Sequence, residues 1–215
     1  MFRNIFLYFC FSAPLIGTAQ KVLQKEWDSH AYKAIEIVSD QLFSVKVTNG
    51  ETTKIKLSTY IAGETSENAV VQVSDTLLTS SDDRKTLYIT TGFPSFFHPK
   101  NDKLAAHKVL AMEMVLEVPK RYTVHIQSKK ANVLATGDYS YFSTSLEEGR
   151  CELLDFSGNA ELQSLMGTIE VVAEQQVSGE AVSEYGNVIN ELNNKGRWRI
   201  TAESRFGNIH LRYTE

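Results

Sequence analysis

The fold is decided by a short segment near the C-terminus, Ser164-Leu165-Met166-Gly167-Thr168-Ile169-Glu170-Val171. It has the form Ser-x-x-Gly followed by apolar residues at alternate positions. The same form returns in Ser183-Glu184-Tyr185-Gly186-Asn187-Val188 and in Ser204-Arg205-Phe206-Gly207-Asn208-Ile209-His210-Leu211. Alternation of apolar and polar residues is typical of a strand with one buried face. Each copy therefore predicts a turn that leads into a short strand.

Two weaker copies precede these three. Ser128 to Val133 has Ala131 in the glycine place, and Ser145 to Cys151 contains one extra residue. The anchor positions 131, 149, 167, 186 and 207 lie 18, 18, 19 and 21 residues apart. Such a period leaves room for two short strands and two turns in each coil. We therefore predict an all-β protein whose coils stack as a β-solenoid, each coil burying its apolar face against the next.

The anchor residues have predicted roles in this stack. Glycine at positions 149, 167, 186 and 207 permits a tight turn with positive φ, and the serine hydroxyl can bond nearby backbone and close the turn. The residue two places after each anchor is apolar and is predicted to point inward: Val133, Cys151, Ile169, Val188 and Ile209. The residue directly after the anchor is asparagine in three copies, which indicates either a side-chain ladder along the stack or simple turn residues.

The N-terminal half alternates without the anchor, for example at Phe43, Val45 and Val47. We interpret residues 20–118 as less regular β structure that covers one end of the stack, and residues 119–215 as the coil region of the same continuous domain. An antiparallel meander with hairpins of similar length would have the same periodicity. Parallel coils are favoured over it because the glycine turn recurs at one fixed phase.

The first residues resemble an export signal. Arg3 precedes an apolar run from Ile5 to Ile16, and Gly17-Thr18-Ala19 places small residues at the −3 and −1 positions of a cleavage site. We predict a signal peptide at residues 1–19, no membrane span after its removal, and an extracytoplasmic location, either periplasmic or on the cell surface.

Charge and motif content argue against several functions. The formal net charge of −4 at pH 7 is a poor match to nucleic acid or anionic membranes. No two of the five histidines stand at a metal-ligand spacing, and Cys151 has no cysteine partner, so no metal and no cofactor are predicted. No nucleophile elbow or phosphate loop is present. The best acidic clusters, Glu147-Glu148 with Glu170 and Asp138 with Asp155, are interpreted as solvated charge. The prediction is a protein that is not an enzyme.

One segment could present an apolar surface to a partner. Residues 91–100 hold three aromatic side chains and two prolines between two strands. The candidate partner-binding residues there are Phe93, Phe96, Phe97 and His98. The alternative is that these rings fold back and cover the open end of the stack.

The repeat segment resembles the bacterial putative-adhesin family, which is built on a domain of unknown function. The resemblance rests on Leu116-Glu117-Val118-Pro119, where a strand ends, and on the anchors at Gly149, Gly167, Gly186 and Gly207. It covers residues 105–215 well and the N-terminal half loosely. It implies short β-coils and carries over no catalytic residue.

Three functions remain open at this point. The first is an exported, non-enzymatic binding or scaffold protein, adhesin-like in its use of flat β faces or of residues 91–100, with an unknown protein or glycan of the cell envelope as partner. The second is a periplasmic accessory protein of envelope maintenance. The third is a carbohydrate-active enzyme on a β-solenoid.

Overall fold

The structure is a computed structural model that describes residues 21–62, 70–76, 84–92 and 111–215. In these ranges all regular structure is β-strand apart from one 3-10 turn at Ser29–Ala31. The all-β prediction is therefore confirmed.

The strands fall into two halves of the chain. The N-terminal half contains β1 (Lys21–Asp28), β2 (Tyr32–Val38), β3 (Leu42–Gly50), β4 (Lys54–Ala62), β5 (Val70–Thr76), β6 (Lys85–Gly92) and β7 (Ala111–Pro119). The C-terminal half contains β8 (Tyr122–Ser128), β9 (Asn132–Glu148), β10 (Cys151–Met166), β11 (Ile169–Ala173), β12 (Val177–Ser183), β13 (Val188–Asn190), β14 (Trp198–Ser204) and β15 (Ile209–Tyr213).

These strands form one strongly curled sheet with two walls. The back wall has the order β1-β4-β7-β3-β9-β10-β11-β15-β13. The front wall has the order β5-β6-β2-β8-β9-β10-β14-β12. Strands β9 and β10 belong to both walls because each bends midway. The bends lie at Gly137, and at Asp155 and Gly158, all of which have positive φ.

All pairs between β8 and β15 are parallel. This excludes the antiparallel meander for the coil region. Antiparallel pairing among the described residues is confined to the N-terminal half, where β4 joins β1 and β7, and β5 joins β6.

The core lies between the two walls and is lined by the inward residues of each strand. Its largest fully buried side chains include three aromatic rings at the bends of β9 and β10: Tyr139, Phe142 and Phe156. Tyr139 stacks on Phe156 with ring centroids 5.7 Å apart, and both meet Phe142 edge-on. These contacts fill the inside of the bend, where the two walls approach each other.

The chain departs from a regular β-solenoid because its last two coils stack in the reverse of their sequence order. In the back wall Ile169 pairs with Ile209, and Ile209 pairs with Val188. In the front wall β14 likewise lies between β10 and β12. The coil of β14 and β15 is thus inserted into the stack, and the coil of β12 and β13 is outermost. Val188 was predicted to point into the core, but its side chain is 39% exposed.

The sequence of the outermost coil explains the exchange. Four residues after the glycine anchor the other coils carry an apolar residue, such as Val171 and Leu211, whereas this coil carries Asn190. Asn190 donates a hydrogen bond to the carbonyl of Gly179 and accepts one from the amide of Leu192. Leu192 is buried over Gly179, which has no side chain to fill that place. A polar residue in the inward position is tolerated at the end of the core and not within it.

The N-terminal half continues both walls and is not a separate cover for the stack. Val45 of β3 pairs in register with Val133, and Glu36 of β2 pairs in register with His125. The predicted alternation of β3 is wrong at one residue. Phe43 is 57% exposed and Leu42 is buried instead, because the pairing register shifts between Leu42 and Ser44.

Candidate functional site

A polar trough runs over the outer face and the strand ends of the front wall, and we call it the polar furrow. It consists of four adjoining hollows of about 780, 310, 340 and 320 Å³. Neighbouring hollows share lining residues. Gln127, Ser145 and Gln163 line both the first and the second, Tyr141 and Glu161 line the second and the third, and Arg205 lines the first and the fourth.

The floor of the polar furrow is ordered in rows because the strands below it are parallel and in register. One row contains Glu36, His125, Ser143, Glu161 and Thr201, on five successive strands. The next row contains Val38, Gln127, Ser145, Gln163 and Glu203 on the same strands. Side chains two residues apart on a strand share a face, so the rows lie side by side.

Tyr141 and Glu161 form the best ordered group in the polar furrow. The Tyr141 hydroxyl donates to Glu161 Oε2 at 2.7 Å, and Gln163 Nε2 donates to Glu161 Oε1 at 3.0 Å. Partial burial and the neighbouring carboxylate raise the pKa of Tyr141 to about 12. The phenol therefore stays protonated and holds the carboxylate in one orientation.

His125 lies beside this group. Its Nδ1 is 2.7 Å from the Ser143 hydroxyl oxygen, and its ring centroid is 5.6 Å from that of Tyr141. Desolvation by burial lowers the pKa of His125, so the imidazole is neutral at pH 7. The structure places His125 on the outer face, half-buried and hydrogen-bonded.

A serine beside a histidine raises the possibility of nucleophilic catalysis. Glu36 stands next to His125 in the same row, but its carboxylate accepts a hydrogen bond from Tyr88. Ser143 is paired on both sides, to β8 and to β10, so its amide belongs to the sheet ladder. An acyl-transfer site needs free amide donors for the oxyanion. His125 and Ser143 thus form a hydrogen-bonded pair on the floor of the furrow, without the Ser143 amide as a free donor.

The cations that line the polar furrow are held by carboxylates. Lys129 Nζ is 2.8 Å from Asp40 Oδ2, and Arg205 Nε is 3.2 Å from Glu184 Oε2. Arg199 pairs with Glu180, which raises the pKa of the guanidinium and lowers that of the carboxyl. The remaining lining carboxylates leave the surface acidic.

The four glycines predicted at turns lie between strands, but three of them are not required for a positive φ. Among the four, positive φ occurs at Gly149 alone. At Gly167, Gly186 and Gly207 a Cβ atom would overlap the carbonyl oxygen of the glycine in the neighbouring coil. These glycines are required because the turns of successive coils pack backbone against backbone.

The other anchor residues hold the turns in two ways. Ser183 and Ser204 accept a hydrogen bond from the amide of the glycine three residues later, at 3.0 and 2.8 Å. A side-chain ladder was one of two alternatives for the asparagines, and Asn132 and Asn208 do not form it. Asn132 accepts from the Arg150 amide and Asn208 from the Asn187 amide, so each side chain bonds the backbone of the next coil.

The predicted partner-binding residues Phe93, Phe96, Phe97 and His98 lie outside the described residues. Strand β6 ends directly before them, at Gly92. Thr91 lines the polar furrow, and its hydroxyl contacts that of Ser39. The chain therefore enters this segment at the margin of the furrow.

Metal and thiol chemistry find little support in the part of the chain that the structure describes. No group of three or more His, Cys, Asp or Glu residues there could hold a metal ion. The Cys151 thiol is buried, and burial raises its pKa to about 12, as expected for a small core residue. No helix in the described ranges is long and apolar enough to cross a membrane.

Sequence reasoning missed the residues of the polar furrow, although a signal was present. His125, Ser143 and Glu161 are 18 residues apart, as are Gln127, Ser145 and Gln163. A repeat that places apolar residues in rows on the inner face also places the polar residues between them in rows on the outer face. The sequence analysis followed the inner rows alone.

Known proteins resemble this chain in structure rather than in sequence. No family model and no curated protein matches it. A putative cell adhesion protein from Clostridium sporogenes ATCC 15579 aligns with a TM-score of 0.53 at 14% identity, over 91% of this chain and 100% of that one. A putative adhesin from Parabacteroides merdae ATCC 43184 aligns at 14% identity over 91% and 97%, with a TM-score of 0.39. The overall fold of this chain is thus similar to that of the clostridial protein.

Proposed function

We propose that this chain is an extracytoplasmic, non-catalytic binding protein of the adhesin-like kind, and that the polar furrow is its contact surface. The observation that carries the proposal is the furrow itself, with aligned rows of polar side chains on in-register strands. In this proposal residues 119–215 are an irregular β-solenoid that holds those rows in place.

A surface of this kind suits binding because it is ordered before a ligand arrives. Tyr141, Glu161 and Gln163 already hydrogen-bond one another. Their backbones are fixed by neighbouring strands on both sides. Binding then costs little additional side-chain entropy, which favours affinity.

The partner in this proposal is a protein or glycan of the cell envelope. The test measures retention of the purified protein on immobilised envelope fractions. Tyr141→Ala and Gln163→Ala remove furrow contacts without touching the core, and each should lower retention. Lys46→Ala is the matched control, because Lys46 is exposed on the outer face of the back wall. Equal retention of the furrow variants and of the Lys46 variant would contradict the proposal.

The non-catalytic part of the proposal has its own test. A fluorophosphonate probe labels serine nucleophiles that a histidine activates. We expect no labelling of Ser143 and no turnover of envelope glycans. Labelling that disappears in both Ser143→Ala and His125→Gln would overturn this part and make the chain a hydrolase.

Location is proposed from the sequence of residues 1–19 and is compatible with the clostridial protein's name. Protease treatment of intact cells carrying a C-terminally tagged copy tests it. Loss of the tag from intact cells supports a surface protein that captures external ligands. Protection until the outer membrane is broken replaces adhesion by a periplasmic role in envelope maintenance.

A further inference from the structure

The charge of the polar furrow restricts its ligand. Among its described lining residues are six carboxylates and three cations: Glu36, Asp40, Glu147, Glu161, Glu184 and Glu203, against Lys129, Arg199 and Arg205. Each of the three cations is ion-paired to a carboxylate. Phosphate- or sulfate-bearing polymers would meet a net negative charge there, and they would compete with carboxylates for each of the three cations.

The two carboxylates of the first row, Glu36 and Glu161, are too far apart to hold one cation between them. Glu36 and Glu161 share a row but stand three strands apart, which is about 14 Å at ~4.8 Å per strand. That separation exceeds the screening length of about 8 Å at physiological ionic strength. His125 and Ser143 fill the places between them and are neutral at pH 7. Along this row a basic ligand would therefore meet two separate charges with neutral groups between them.

The remaining chemistry of the furrow matches hydroxyl groups. Carboxylate oxygens accept hydrogen bonds, the amide of Gln127 both donates and accepts, and the hydroxyls of Ser145 and Thr201 do the same. Tyr141 adds an aromatic ring against which the C–H face of a sugar can pack. Alternating hydroxyls and C–H faces are what an uncharged polysaccharide presents.

The repeat of the furrow matches that of such a chain. A ligand lying across the strands meets one side chain from each row at each strand, every ~4.8 Å, and from β8 to β14 both side chains are polar. This step is close to the length of one pyranose unit. The rows continue from β2 to β14, a span of about 19 Å. The furrow is therefore long enough for a short run of sugar units.

We propose that the polar furrow binds an uncharged polysaccharide laid across the strands, an assignment that rests on the proposed binding function. Native gels cast with soluble mannan, galactomannan, xylan or dextran test it, because binding retards the protein. At least one of these should retard the protein, and dextran sulfate should not. Tyr141→Ala removes the ring and should raise the dissociation constant obtained from the retardation roughly tenfold. Lys46→Ala should leave this constant unchanged.

Three results would overturn the assignment in distinguishable ways. If none of the four neutral polymers retards the protein, the polysaccharide assignment is wrong. The proposed binding function still holds in that case if envelope retention depends on Tyr141 and Gln163. Capture on poly-lysine beads alone replaces the polysaccharide by a cationic polymer. Retardation that is equal in the Tyr141 and Lys46 variants means that the polysaccharide binds elsewhere, and the furrow loses both roles. Thermal melting by circular dichroism confirms that each variant is folded.

Discussion

At the scale of single residues, the closest packing in the coil region is backbone against backbone. Gly207 lies against the carbonyl of Gly167, and Gly186 lies against the carbonyl of Gly207. The serine hydroxyls at these turns bond the glycine amides, so the turn cannot simply move away. A methyl group here has to displace a neighbouring coil.

Gly207→Ala should therefore destabilise the protein strongly. The added Cβ would overlap the carbonyl of Gly167, and overpacking of this kind costs about 1–3 kcal/mol. Gly50→Ala is the control, because a Cβ at position 50 meets no atom within 4 Å. Urea unfolding gives the free energy of unfolding of both variants. Equal stability of the two would show that the turns of successive coils are not in contact.

His125 makes stability depend on pH in a predictable direction. Burial lowers its pKa below the ordinary value of 6.5, so the unfolded chain takes up this proton first as the pH falls. The stabilising contribution is complete above pH 6.5 and is lost as the pH falls from there through the lowered pKa. Urea unfolding between pH 7.5 and pH 5 should show this loss in the native protein and a shallower one in His125→Gln. Identical slopes would contradict the burial of this imidazole.

At the scale of the element, the same repeat position is buried in one coil and exposed in another. Val133 and Val188 both stand two residues after an anchor and were both predicted to point inward. Val133 is buried between Val45 and Cys151, whereas Val188 belongs to the edge strand β13. At this end of the back wall the edge strand is thus β13, and Ile209–Leu211 is paired on both sides, with β11 and β13.

Val133→Ala and Val188→Ala make a matched pair that tests this difference. Removal of the same two methyl groups should cost about 2–3 kcal/mol at the buried site and less than about 1 kcal/mol at the exposed one. Thermal or urea unfolding measures both. A larger loss for Val188→Ala would mean that its coil lies inside the stack.

At the scale of the whole molecule, the order of the coils differs from the order of the sequence. Gln163 pairs with Glu203, and Glu203 pairs with Val182, on the outer face of the front wall. In a sequential stack Gln163 would be next to Val182 instead. The two arrangements bury similar strands and differ in which coil covers the end.

Engineered cysteine pairs distinguish the two orders. In a Cys151→Ala background, Gln163→Cys with Glu203→Cys joins adjacent strands at ~4.8 Å, within the reach of a disulfide. Gln163→Cys with Val182→Cys spans two strand spacings, about 10 Å, and should stay reduced. Mobility on non-reducing gels after mild oxidation shows which of the two pairs has formed a disulfide. Efficient crosslinking of the second pair alone would establish the sequential order.

The sequence by itself determined the all-β class, the coil period and, apart from positions such as Phe43 and Val188, which of the alternating side chains face the core. It could do so because these properties depend on local alternation and on a repeated turn, both of which are readable within one coil. It also indicated the buried state of Cys151, which occupies an inward position of that pattern.

Only the tertiary structure decided the order of the last two coils and the existence of the polar furrow. Two coils compete for the inner place in the stack. The coil with Ile200, Ala202, Ile209 and Leu211 buries more apolar surface there than the coil with Gly179 and Asn190 would. The furrow joins Glu36 to residues about a hundred positions away, through the pairing of β2 with β8. Local periodicity carries no information about which strands become neighbours, since that choice is made by the burial of all the coils at once.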